Sequence, residues 1–218
     1  MSAQNTRPPK RIIICCDGTW QSSNHGLHEI PSNIAKISHC LSHLFVNEYE
    51  QHVPQVIYYS AGVGKKITGL AKRLGGGLGL GLDKDVYEAY NFIVSNYCSG
   101  DELFFFGFSR GAYTVRAVVG LICRVGICEP QRMSQFWQMF AVYKTLNPDQ
   151  GLSDHKWGRP SLVDPPEKFK VTVKGKSTPV DKGSGSDGSD WFRHSTTNIK
   201  IKIVGVWDTV GSLGIPDN

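Results

Sequence analysis

The sequence predicts an α/β protein, a parallel sheet with helices on both faces. Three observations carry this. Short apolar runs alternate with stretches of helical periodicity. The runs are continuous rather than alternating, as in strands buried on both faces. Three of them stop at polar residues: Asp17-Gly18-Thr19, Ser109 and Asp208. In open parallel sheets, function gathers at the carboxyl ends of the strands.

Arg11–Cys16 (RIIICC) reads as the first strand, since β-branched side chains favour a pleated, packed surface. Pro31-Ser32-Asn33 is a helix start, after which Ile34, Ile37, Leu41, Leu44 and Phe45 recur at helical spacing. Residues 55–60 (QVIYYS) form a second strand. The glycine-rich stretch 69–81 is expected to be loop or tight turns. Asp83 opens a helix to about Tyr97, with Val86, Tyr90, Ile93, Val94 and Tyr97 on one side. Residues 103–106 (LFFF) are a strand that runs into Gly107-Phe108-Ser109-Arg110-Gly111, and a long apolar helix follows over 112–123. Residues 134–146 predict an aromatic-rich helix, with Phe136, Phe140 and Tyr143 at helical spacing and Trp137 beside them. That stripe suits a core-facing side; it also suits a cap over the substrate entrance that touches a membrane surface. Residues 199–207 (IKIKIVGVW) are the last strand, ending at Asp208.

The 218 residues fit one domain, 1–218, and 149–195 reads as a polar, partly disordered insertion whose stretch KGSGSDGSD lacks anything to bury. The net charge of +5 is mild and its cations are scattered, so nucleic acid is not an expected partner. The polar start MSAQNTRPPK precedes no apolar signal core, and no apolar run is long enough to span a bilayer, so a cytoplasmic location is expected. The six cysteines make no C-x-x-C pair. Cys15, Cys16, Cys98 and Cys123 lie in apolar segments, which predicts reduced, buried thiols. No H-E-x-x-H occurs, and no metal or cofactor is expected.

Gly107-Phe108-Ser109-Arg110-Gly111 matches G-x-S-x-G. The pattern gains meaning from its context, an apolar strand before and a helix after, as a nucleophile elbow requires. Ser109 is the candidate nucleophile; without chemistry the same segment would be a plain strand-to-helix turn. The Arg110 backbone N–H is a candidate oxyanion donor. Gly18 and Thr19, after the first strand, are candidates for the second donor, set against a simple helix-capping turn made by Asp17. Asp208 follows Ser109 in the chain, as the acid of an α/β-hydrolase triad does. The histidine is missing from that order: ten residues follow Asp208 and none is His. His194 is the internal candidate base, because a triad is defined by geometry rather than order, and His155 is a weaker one. His25, His28, His39, His43 and His52 read as helix or loop residues.

Phosphate chemistry fails on three counts. In the P-loop-like AGVGKK, Tyr59 stands where the first glycine belongs and Lys66 replaces Ser/Thr. The glycines of 75–81 lack G-x-G-x-x-G spacing and a preceding strand. In CCDGT, Cys15 occupies the place of the aspartate nucleophile of dehalogenase-type phosphatases.

Taken together, the chain resembles the catalytic domain of type VI secretion phospholipase effectors of the first lipase class, a domain also found in uncharacterised fungal and bacterial proteins. The matching pieces are Asp17-Gly18-Thr19-Trp20, Tyr58-Tyr59-Ser60-Ala61-Gly62-Val63-Gly64, Gly107-Phe108-Ser109-Arg110-Gly111-Ala112 and Gly205-Val206-Trp207-Asp208-Thr209-Val210-Gly211, in family order from Arg11 to Pro216. The resemblance implies an α/β-hydrolase fold and hydrolysis of carboxylic esters, glycerophospholipids among them. It implies Ser109 as nucleophile and Asp208 as triad acid. The family's histidine lies beyond the Trp-Asp-Thr-Val motif, so the chain is expected to be truncated before it, incomplete at its C-terminal side and weakly active or inactive. The alternative expectation is a catalytically silent fragment or binding module of the same fold.

Overall fold

The structure is a computed structural model, and it describes residues 9–18, 30–62, 77–145, 191 and 193–209. They fall into two compact units, one within 1–123 and 198–218, the other within 124–197.

The first unit is built on strand β1, Arg11–Cys16, whose last five residues are all buried. Helix α1 (Asn33–Cys40), strand β2 (Leu44–Val46), strand β3 (His52–Ser60), helix α2 (Gly77–Asn96), strand β4 (Glu102–Phe108) and helix α3 (Arg110–Val125) follow. The unit's last described strand is β7, Lys200–Trp207. The sheet order is β2-β3-β1-β4-β7. β1 pairs parallel with β3 and β4, and β4 pairs parallel with β7. The fold is therefore α/β, as the alternation of elements predicts, on a mixed sheet in which β2 and β3 pair antiparallel.

Odd-numbered β1 side chains, Ile13 and Cys15, pack with Ile34 of α1 and with Phe104, Phe106 and Phe108 of β4. On the other face, Tyr58 of β3 meets Phe92 of α2 with ring centroids 5.0 Å apart. Helices thus cover both faces. On α2, Val86, Ala89, Tyr90, Ile93 and Val94 are buried, at the i, i+3, i+4 spacing of one helix face. The chain leaves β1 toward β3 but leaves β4 toward β7. The switch in direction falls between β1 and β4, where open α/β sheets have their crevice.

Several expectations need correction. Leu44 and Phe45 do not continue α1, which ends at Cys40; they form edge strand β2. Period-two packing wins there: Phe45 pairs with the buried Val53 and lies 3.7 Å under the Arg11 guanidinium, while Leu44 and Val46 point outward. The glycine stretch is not all loop, since α2 begins at Gly77. A helix already nucleated by its packed part gains a hydrogen bond for each residue added, which offsets the cost of glycine, about 1 kcal/mol each relative to alanine. Cys98 and Cys123 are exposed, not buried, because one follows the end of α2 and the other sits on the outer side of α3; Cys15, Cys16 and Cys128 are buried. The expected strand over 199–207 is also only half-covered. Ile203, Val204, Val206 and Trp207 of β7 are between 36% and 47% exposed.

In the second unit, strand β5 (Ile127–Cys128) pairs antiparallel with β6 (Ser195–Thr196). A 3-10 turn, Pro130–Gln135, leads into helix α4, Phe136–Thr145. Trp191, at the end of the polar stretch, is buried and its indole N–H donates to the Val125 carbonyl at 3.2 Å. Residues 149–190 and 192 of that stretch, including KGSGSDGSD and His155, lie outside the described residues, as do His25, His28, Leu146 and residues 69–76.

Candidate active site

Ser109 sits at the junction of β4 and α3 with φ 53°, a left-handed conformation rare for a side chain with a Cβ. Such strain persists only where the surroundings impose it. Two glycines make the junction tight. A Cβ at Gly107 would lie 2.6 Å from the Gly111 carbonyl oxygen, and one at Gly111 would lie 2.1 Å from the Cys16 carbonyl oxygen. The first turn of α3 is thereby pressed against the end of β1. The Ser109 carbonyl accepts from the Tyr113 amide at 3.2 Å, and the Arg110 carbonyl from the Thr114 hydroxyl at 3.3 Å, which starts the helix.

Asp208 ends the neighbouring strand with φ 48°. The two left-handed residues are brought to the same sheet edge by the β4–β7 register, in which Phe108 faces Trp207. The Ser109 amide donates to the Trp207 carbonyl at 3.0 Å.

Gly18 is the third member of this edge: a Cβ there would lie 3.1 Å from Ser109 Cβ and 2.7 Å from Phe108 Cδ1. The Gly18 amide, however, donates to Asp17 Oδ1 at 2.9 Å. Thr19 lies outside the described residues. Arg110 is the first residue of α3, and its Nε is buried with no hydrogen-bond partner among the described residues.

Asp17 does more than cap a turn. It is 4% exposed. Its Oδ2 accepts from the hydroxyls of Ser32 and of Tyr59, the latter at 2.8 Å. Ser32 Oγ in turn accepts from the Ala35 amide at 2.9 Å and so caps α1. One carboxylate thus fixes the Gly18 backbone, the end of β3 and the start of α1. Sequence reasoning did not find Ser32 and Tyr59 as its partners. The legible signal was a helix cap at Ser32; its link to Asp17 spans fifteen positions and needs the fold.

Burial, with Asp17 adding, pushes the Cys15 thiol up to about 12, and burial pushes Cys16 higher still. Both thiols stay protonated near neutrality and are not nucleophiles. Burial also pushes Tyr58 up to about 12. Asp85, on α2, rises to about 6 through desolvation and then Glu88, partly opposed by Lys84 and Arg110.

The described histidines of the first unit stand away from this edge. His52 begins β3, the His43 carbonyl accepts there from the Gln55 amide, and His39 is in the last turn of α1. His194 belongs to the second unit, where its Nδ1 lies 3.2 Å from Glu129 Oε2. On α4, Phe136, Met139 and Phe140 are buried, Tyr143 is half-buried and Trp137 is 41% exposed, so Phe136 and Phe140 of the aromatic stripe face inward. Among the described residues no helix is long and apolar enough to cross a membrane, and no group of three His, Cys, Asp or Glu could hold a metal ion.

Residues 10–218 match the family described as "T6SS, Phospholipase effector Tle1-like, catalytic domain". The "Uncharacterized protein YEL023C" of Saccharomyces cerevisiae is 27% identical over 222 residues, covering 94% of this chain. The chain spans 27% of the length of that yeast protein. No solved structure matches.

Proposed function

We propose, from the premise that this chain belongs to the Tle1-like phospholipase-effector catalytic-domain family, that it is a serine hydrolase of carboxylic esters with Ser109 as nucleophile. The family is one of lipid-ester hydrolases; glycerophospholipids are the substrates we assign to this chain. The observation that carries the reading is the strained Ser109 held between close-packed glycines at the end of β4. A nucleophile in such a turn is lifted clear of the sheet toward substrate.

Ser109 Oγ attacks the acyl carbonyl and gives its proton to a histidine. That histidine passes the proton to the departing alcohol, and water then releases the acyl group by the same route. The Arg110 amide holds the oxyanion. The second donor is the Gly18 or Thr19 amide; Gly18 serves only if its bond to Asp17 opens. Asp208 orients the histidine. Membrane contact belongs to the same reading through the exposed Trp137; Phe136 is buried and takes no part. Vesicle binding left unchanged by Trp137→Ser would remove this part.

Fluorophosphonate labelling tests the core of the proposal. The expected result is labelling of wild type and none of Ser109→Ala; labelling that survives the substitution overturns it. A second reading, a catalytically silent binding module of the same fold, is favoured by one observation: the Gly18 amide is already engaged by Asp17. It predicts no labelling of either protein.

A further inference from the structure

Beside Ser109 the first unit has an open groove of about 440 Å³, lined by Ile30, Pro31, Ser32, Asn33, Ile34, Lys36, Phe108 and Trp207. That volume is in the range of small-molecule sites. Two of its lining residues adjoin the elbow. Phe108 precedes Ser109 in the chain, and the Trp207 carbonyl accepts the Ser109 amide at 3.0 Å. Ile30, Pro31, Phe108 and Trp207 make most of the wall apolar, with Asn33 and Lys36 as its polar members beside Ser32. Ile30 is 80% and Trp207 47% exposed, so much of this apolar surface meets water. The hydroxyl in this wall is already used, because Ser32 Oγ donates to Asp17 and accepts from the Ala35 amide. A wall whose hydroxyl is satisfied selects an apolar occupant over a polar one. Among the described lining residues the charged side chain is Lys36, at the rim of α1.

We propose that this groove, between the start of α1 and the ends of β4 and β7, receives the fatty acyl arm of the ester attacked at Ser109. The inference rests on the reading of Ser109 as nucleophile. It adds to it the subsite that sets acyl-chain preference. Each methylene the groove takes from water is worth up to about fourfold in kcat/KM, until the groove is full. Preference therefore rises from acetate through butyrate to octanoate.

Two measurements separate the subsite from the chemistry. The first uses Ser109→Ala protein titrated with an ω-brominated undecanoate, whose bromine quenches nearby tryptophan fluorescence. Saturable quenching that disappears when Trp207→Phe is added, and weakens about tenfold with Ile30→Glu, is expected. Quenching that is absent, or indifferent to both changes, overturns the groove. Ile30 is so exposed that its substitution leaves the fold intact, and Asn33→Trp, which fills the groove from the outer side of α1, is the independent second variant. The second measurement is the ratio of kcat/KM for p-nitrophenyl octanoate to that for the acetate. Either groove variant should lower this ratio about tenfold; an unchanged ratio overturns the acyl subsite. If quenching behaves as expected but wild type and Ser109→Ala hydrolyse esters equally, the proposed role of Ser109 fails and the acyl subsite of its reaction fails with it. Quenching by the groove would then describe a lipid-binding surface only.

Discussion

The backbone amide of Ser109 donates to the backbone carbonyl of Trp207 at 3.0 Å, across the boundary between β4 and β7. This bond ties the strained residue of one strand end to the residue just before Asp208, the strained residue of the other. The two side chains that the proposed triad needs are therefore placed by main-chain pairing, before any contact of their own.

Ser109 should be more costly to the fold than glycine would be. Its φ of 53° is one that a Cβ disfavours by about 1–2 kcal/mol. Ser109→Gly is expected to be more stable than Ser109→Ala by about 1 kcal/mol, after the larger unfolded-state entropy of glycine is counted. Urea denaturation of the two variants measures this. Equal midpoints would mean that the turn stores no strain.

Asp208→Asn should leave Ser109 reactive but slow. In a triad the acid holds the imidazole in its working tautomer, and its amide replacement lowers kcat about 10⁴-fold in a well-studied protease. The expected result is a Ser109-dependent turnover lower by about 10³–10⁴-fold with an unchanged denaturation curve. A loss below tenfold would remove Asp208 from the mechanism.

Two glycines of the site, Gly111 and Gly18, should answer differently to alanine. At Gly111 the added Cβ meets the backbone of Cys16 at 2.1 Å, which cannot move without shifting β1. Gly111→Ala should lose about 3 kcal/mol or fail to fold. At Gly18 the new atom meets the Phe108 ring at 2.7 Å, and a side chain can turn away. Gly18→Ala should fold at a cost of about 1 kcal/mol, with its main effect on turnover. Thermal melts of both proteins test the contrast.

Asp85 should make the fold lose stability as pH rises. Its carboxyl has a pKa of about 6 in the folded chain, against 3.8 for an unburied aspartate. Below the lower value both states hold the proton. Between the two the unfolded chain releases it and the folded chain keeps it, so stability falls with rising pH, then levels off above about 6. Asp85→Asn cannot ionise and should escape the fall. The gain above pH 6 is about 1 kcal/mol, allowing for solvent screening of a group that is only partly buried. A melting-temperature difference between wild type and variant that stays flat from pH 4 to pH 7 would contradict this.

The central strands were legible because β1 and β4 are short apolar runs that end at polar residues, and the elbow because glycines flank a serine between a strand and a helix. β2 was not, because Leu44 and Phe45 fit the helical spacing of α1 as well as a strand. Only pairing with Val53 and the guanidinium of Arg11 decides between them. The partners of Asp17 were hidden for a similar reason. A carboxylate at a strand end announces that it will be satisfied, but Ser32 and Tyr59 reach it from two other elements, and no local pattern joins them. The groove is likewise a product of the fold. Ile30, Phe108 and Trp207 are far apart in the chain and read singly as ordinary apolar residues.

The pairing of β4 with β7 also sets an order of events during synthesis. β1, β3 and β4 leave the ribosome early and can pair with one another at once. The outer edge of β4 then waits while the whole second unit is made, and only afterwards does Trp207 emerge to accept the Ser109 amide. Contacts between segments so distant in sequence form late. The elbow therefore reaches its final shape last. While the chain is still growing, it carries the serine but not the strand whose carbonyl holds the serine's amide.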